Sequence, residues 1–204
     1  MKIALYLGSF NPFHNGHLKV IETALYDFKI DKVVIVPTMQ NPSKKEKALD
    51  IDKRLQIIKE SVYYSRNDIH TDDSYDWLDF VYHQYYIDPL PAHNWKEWNE
   101  YKTKYISIDS IEKTLTSPYY SYATLHALKN KYCNDEIFIL CGEDTIKDIP
   151  NWMNGGAIIQ DYNFLVCDRP KGSISSTEIR DKVKKEEDIS DYVNDVNLIK
   201  KYYQ

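Results

Sequence analysis

Two histidines three residues apart, His14 and His17, lie in the stretch GSFNPFHNGHL, residues 8–18. Imidazoles at that spacing project from neighbouring positions of one helical turn. If the helix starts near Asn15, both rings flank the positive end of its dipole, where unpaired backbone N–H groups already favour phosphate oxygens. The turn Gly8-Ser9-Phe10 adds further backbone donors, and Gly16, having no Cβ, lets a nucleotide approach the backbone closely. The chemistry open to such a cluster is donation to negative charge growing on phosphate oxygens. The pair is short, and two other readings stand beside this one: a metal held by His at i and i+3, or a histidine that only caps a helix.

A second constellation lies near the C-terminus, in GSISSTEIRDKV. Ser175 or Ser176 is a natural N-cap, and Glu178 or Glu186 adds negative charge early in the following helix. Ser175, Ser176 and Thr177 together exceed what one cap needs, and Arg180, one turn on, can project to the same anion. Two helix N-termini furnished in this way fit a triphosphate gripped from both sides.

These side chains need elements to carry them. Four short β-rich runs punctuate the chain: KIALYLGS at the start, KVVIVP at 32–37, EIFILCG at 136–142 and YNFLVCD at 162–168. Their continuous apolar character predicts interior parallel strands. Helical patterns lie between them at 17–28, at 50–65 with Leu55, Ile58 and Val62 on one stripe, and at 120–131. Alternation of this kind predicts an α/β fold, a doubly wound parallel sheet. Such sheets bind ligands beyond the carboxyl ends of their strands, where the histidine stretch leaves strand one. A region at about 75–105 breaks the rhythm. It is crowded with Tyr and Trp, carries Pro89 and Pro91, and is expected to form a helical hairpin inserted into the frame.

The 204 residues fit one domain, 1–204, with a core of its own. A formal charge of −5 argues against a general affinity for nucleic acid or anionic membrane and leaves small anionic ligands open. Cys133, Cys141 and Cys167 have no metal-like spacing and suit free thiols in a reducing compartment. With no signal-peptide pattern and no membrane-length apolar run, a cytoplasmic protein is expected. Assembly into a homo-oligomer stays open.

GSFNPFHNGHL resembles the G-x-F-x-P-x-H-x-G-H-L signature of nucleotidyltransferases, and ISSTEIR resembles their I-S-S-T-x-I-R signature. Together they are similar to the nicotinate-mononucleotide adenylyltransferase family, with its Rossmann-like nucleotidyltransferase fold. VPTMQNPSKK is similar to a family loop, Arg54-Leu55 falls on a family Arg-Leu pair, and SPYYSYATLHAL and FILCGEDTIKDIPNW match further segments. Nearly the whole chain except the aromatic insertion is covered. Ser43, Ala123, Ser121 and Met153 depart from the pattern, at positions where the family usually has His, Asp, Thr and an aromatic.

The resemblance implies adenylyl transfer from ATP to nicotinate mononucleotide, forming deamido-NAD and pyrophosphate in NAD biosynthesis. It implies His14 and His17 as catalytic donors. Gly8, Ser9, Phe10, Gly16, Lys44, Gly142, Asp144, Ser175, Ser176, Thr177 and Arg180 would hold ATP, Asp144 through the ribose hydroxyls. Tyr120, Ser121, Trp152 and the backbone at Met153 would hold the pyridine mononucleotide, Trp152 by stacking on the charged ring. No carboxylate cage is visible, so Mg²⁺ is expected to arrive with ATP. Two alternatives remain: the same chemistry on nicotinamide mononucleotide or another phosphate such as phosphopantetheine, and an inactive nucleotide-binding scaffold.

Overall fold

The computed structural model describes residues 1–40, 47–63, 104–168 and 174–204. The aromatic insertion expected at about 75–105 lies, but for its last two residues, outside the described residues.

Five strands, β1 (Lys2–Gly8), β2 (Lys32–Pro37), β3 (Ile106–Ile108), β4 (Glu136–Gly142) and β5 (Asn163–Cys167), form a parallel sheet in the order β3-β2-β1-β4-β5. The four β-rich runs coincide with β1, β2, β4 and β5 almost to the residue. Their apolar continuity follows from burial on both faces: Ile3, Ala4 and Leu5 of β1 and Val33 to Val36 of β2 are each 1% exposed or less. One face, with Ala4, Tyr6 and Ile35, packs on helices α1 (Asn15–Tyr26), α2 (Ile51–Tyr63), α6 (Ser176–Lys184) and α7 (Val196–Tyr203). The other, with Ile3, Leu5 and Val34, packs on α3 (Ser121–Lys131) and α5 (Gly155–Asp161), with the short α4 (Glu143–Asp148) leading into the latter. The sheet is doubly wound and Rossmann-like, as expected.

The order reverses between β1 and β4, which makes their carboxyl ends the switch point. β1 pairs with β4 from Lys2↔Glu136 to Tyr6↔Leu140. Carried two residues further, that register sets Gly8 level with Gly142, so both neighbouring strands finish on a glycine there.

Helix α2 departs from the expected stripe. Its buried positions are Ile51, Arg54, Ile57, Ile58, Ser61 and Val62, with Leu55 only half-buried. A charged residue occupies the inward face, for a reason that lies in the site.

Candidate active site

Helix α1 starts at Asn15 with His14 as its N-cap. Gly16 N–H donates to His14 Nδ1 at 3.1 Å, and His14 N–H donates to His17 Nδ1, also at 3.1 Å. The two imidazoles therefore form a capping box in which ring nitrogens replace the usual hydroxyl and carboxylate. A nitrogen that accepts an N–H carries no proton, so each neutral ring holds its hydrogen on Nε2. Capping and donation are thus two ends of the same rings. The ring centroids lie 3.8 Å apart.

Aromatic packing fixes His17. Phe13 stacks on it at 5.1 Å with planes 25° apart, and Phe10 meets it edge-on at 5.0 Å. Phe10 is 2% exposed and takes a left-handed φ of 44°, a conformation that costs a non-glycine residue about 1–3 kcal/mol. Its ring lies over Gly8, where a Cβ would come within 2.8 Å of it. Gly8 therefore admits Phe10, and Phe10 orients His17.

The second motif docks onto this loop. Ser175 caps α6, accepting from Glu178 N–H at 3.2 Å while its own N–H donates to Glu178 Oε2 at 2.8 Å. Glu186, the other acidic candidate, lies beyond the end of this helix. Ser176 Oγ donates to the Pro12 carbonyl at 2.9 Å, and Arg180 Nη1 donates to the Asn11 carbonyl at 2.7 Å. Arg180 Nη2 donates to Thr177 Oγ1 at 3.3 Å. All three hydroxyls, which together exceed what one cap needs, have protein partners, and the two helix N-termini are spliced together through residues 11 and 12.

On the other face of the sheet, Gly142 ends β4 and caps α4. A Cβ there would meet only the Cys167 carbonyl, at 3.9 Å, so the protein itself does not demand a glycine. Asp144 follows in the first turn and is exposed. Trp152 is half-buried against the core, with Nε1–H donating to Asp148 Oδ2 at 2.9 Å, and Met153 is 54% exposed. Tyr120 is the residue before α3 and Ser121 is its first, both half-buried. The histidine cluster with Ser175–Arg180 and the group with Trp152 and Tyr120 flank the sheet's carboxyl end from opposite faces. Lys44 lies outside the described residues.

Three further groups organise this end, and sequence reasoning assigned them no role in the site. Arg54 is 1% exposed, yet its partners are carbonyls: Nε donates to Leu49 at 2.6 Å, Nη1 to Ser9 at 2.6 Å and Thr38 at 2.7 Å, and Nη2 to Met39 at 3.0 Å. Burial lowers the guanidinium's pKa, and the carbonyls supply the solvation that water would otherwise give. Glu112, also 1% exposed, accepts from Met39 N–H at 2.6 Å and from Thr124 Oγ1 at 2.7 Å. Burial raises its carboxyl pKa, against those two hydrogen bonds. Tyr203, near the chain's end, donates its hydroxyl to Asn11 Oδ1 at 2.7 Å. The Arg-Leu pair was the one available signal for Arg54.

A cytidylyltransferase-like family model matches residues 5–190. The chain belongs to this nucleotidyltransferase family. Similar relatives include a Fusobacterium nucleatum protein named "Probable nicotinate-nucleotide adenylyltransferase", 30% identical over 100% of this chain and 99% of the relative. A Cytophaga hutchinsonii protein of the same name is 29% identical over 100% of this chain and 98% of the relative. Among solved structures, Plasmodium falciparum nicotinic acid mononucleotide adenylyltransferase complexed with NaAD superposes with a TM-score of 0.63 at 19% identity, covering 98% and 93% of the two chains. At that identity the superposition speaks for the nucleotidyltransferase fold. Among the described residues of this nucleotidyltransferase, no three His, Cys, Asp or Glu side chains gather as a metal site. None of its described helices is long and apolar enough to cross a membrane.

Proposed function

We propose that the protein transfers the adenylyl group of ATP to nicotinate mononucleotide, releasing pyrophosphate and forming the deamido dinucleotide of NAD biosynthesis. The observation that carries this reading is the reciprocal capping of His14 and His17, which sets the proton of each neutral ring on Nε2 at the switch point. The names of the full-length relatives supply the acceptor.

A 5′-phosphate oxygen of the mononucleotide attacks the α-phosphorus of ATP. A bond forms there while the bond from the α-phosphorus to the bridging oxygen breaks, and pyrophosphate leaves with the electron pair. The attacking phosphate is already anionic, so no strong base is required. Charge grows on the α-phosphoryl oxygens and on the leaving group, where preorganised imidazole N–H donors help most. The N-terminus of α6, joined to the histidine loop through Asn11 and Pro12, adds backbone donors for the phosphates. Thr177, Arg180 and Lys44 complete the grip on the triphosphate, and Gly142 and Asp144 take the adenosine side. Tyr120, Ser121, Trp152 and the Met153 backbone hold the pyridine. Mg²⁺ arriving with ATP would supply charge neutralisation on the phosphates. We place this activity in the cytoplasm, with residues 1–204 acting as one domain.

ATP labelled separately at its α and γ phosphorus tests the reaction type. The α label should pass to the acceptor and the γ label to pyrophosphate. A γ label on the acceptor would mean phosphoryl transfer and overturn the reading.

A further inference from the structure

Met39 is held at both ends of its backbone by buried groups of opposite charge. Its N–H donates to Glu112 Oε2 at 2.6 Å, and its carbonyl accepts from Arg54 Nη2 at 3.0 Å. Neither charge is more than 1% exposed, so each interaction acts in a poorly screened interior. The remaining atoms of both side chains reach outward. Arg54 Nη1 grips the Ser9 carbonyl at 2.6 Å, in the loop that leads to the histidines. Glu112 Oε1 accepts from Thr124 Oγ1 at 2.7 Å, three residues into α3 from Ser121. A continuous path of hydrogen bonds therefore runs from Ser9 through Arg54, Met39 and Glu112 to Thr124, from one face of the sheet to the other.

We infer that Arg54 and Glu112 are positioning residues that set α3, on the acceptor side, against the loop that carries the histidines. This rests on the proposed adenylyl transfer, because Tyr120 and Ser121 at the start of α3 are assigned there to the mononucleotide. Two buried charges linked through one backbone unit are directional in a way that apolar packing is not. A guanidinium plane with four carbonyls around it, and a carboxylate with a donor on each oxygen, permit one relative placement of the three segments. The bridge touches neither substrate and sets the distance between the sites that hold them.

Thr124→Val is nearly isosteric and removes the hydroxyl that links Glu112 to α3; the other bond of that hydroxyl, to the Tyr120 carbonyl, is long at 3.4 Å. Two readouts test the bridge in the intact chain. By NMR hydrogen exchange, the Met39 amide should exchange about 3- to 10-fold faster in Thr124→Val, the effect of one weakened hydrogen bond. In steady-state kinetics the KM for nicotinate mononucleotide should rise by about the same factor while the KM for ATP moves less than about twofold. Thr124→Ser, which restores the hydroxyl, should bring both back. A Met39 amide indifferent to Thr124→Val, or the two KM values moving together, would overturn the inference. A wild-type chain that transfers nothing would sink the proposed function, and the Met39 amide would still decide whether the bridge exists.

Discussion

Arg180 Nη1 donates to the carbonyl of Asn11 at 2.7 Å across 169 residues of sequence, and this bond locks the serine-rich motif to the histidine motif. Ser176 reinforces it through the adjacent Pro12 carbonyl. The two motifs that the proposed reaction assigns to the phosphates thus form one preassembled unit rather than two separate patches. Lysine at position 180 keeps the charge but cannot reach both the Asn11 carbonyl and Thr177 Oγ1 with a planar fork. Arg180→Lys should lower kcat/KM for ATP by about 10- to 100-fold, the cost of losing a charged hydrogen bond in a part-buried site. Initial rates over a range of ATP concentrations check this.

His14 and His17 cap helix α1 and, in the proposed reaction, also donate to the phosphates, and substitutions can separate the two roles. His14→Asn retains a side-chain acceptor for the Gly16 amide, so helix α1 should keep its cap, which is worth about 0.5–2 kcal/mol against alanine. Its thermal midpoint should stay near wild type while turnover falls. His17→Ala should leave the fold intact and reduce turnover by about 10² to 10³. Circular dichroism melts alongside pyrophosphate-release rates give the comparison. Turnover preserved in both variants would reduce the histidines to caps.

Tyr203 places a hydroxyl from the last helix on Asn11 Oδ1, which also accepts from the Leu49 amide at 3.1 Å. Burial pushes its phenol up, partly offset by Arg54 and Arg180, so it is a neutral donor at every working pH. Tyr203→Phe removes one hydrogen bond and should cost about 0.5–1.5 kcal/mol of unfolding free energy. Urea denaturation followed by fluorescence reads the loss.

Cys141 and Cys167 are buried, and burial pushes each thiol up to about 11. Cys133 is exposed. An aromatic disulfide reagent at pH 8 should therefore label one thiol promptly in the native chain and all three after unfolding, since reaction requires an accessible thiolate. Mass spectrometry of the labelled peptides identifies which.

The frame of this fold was legible because buried parallel strands write themselves as apolar runs. KVVIVP and EIFILCG coincide with β2 and β4. β3 escaped because Ile106-Ser107-Ile108 is too short and too mixed to stand out from its surroundings. The ends of the candidate site were legible as motifs, His14 with His17 and Ser175 to Arg180. The bonds between those ends were not. Arg54 reads as a charge on a helix and would be set toward solvent by periodicity alone, yet it is buried because four backbone carbonyls from four separate loop positions converge on it. Backbone partners leave no mark in side-chain pattern. Glu112 was silent for the same reason: its donors are a main-chain amide and one hydroxyl, neither of which has a characteristic spacing from it. Trp152 was singled out by the family resemblance, whereas its bond to Asp148 depends on the local 3₁₀ turn between them.

The central claim meets its most direct test in a competition. The purified chain is given limiting ATP with Mg²⁺ and equal amounts of nicotinate mononucleotide, nicotinamide mononucleotide and phosphopantetheine, and the products are identified by mass. The account predicts that the deamido dinucleotide dominates, with one pyrophosphate released per product. A product that is mainly NAD or dephospho-coenzyme A would contradict the acceptor, and no adenylylated product at all would contradict the account as a whole.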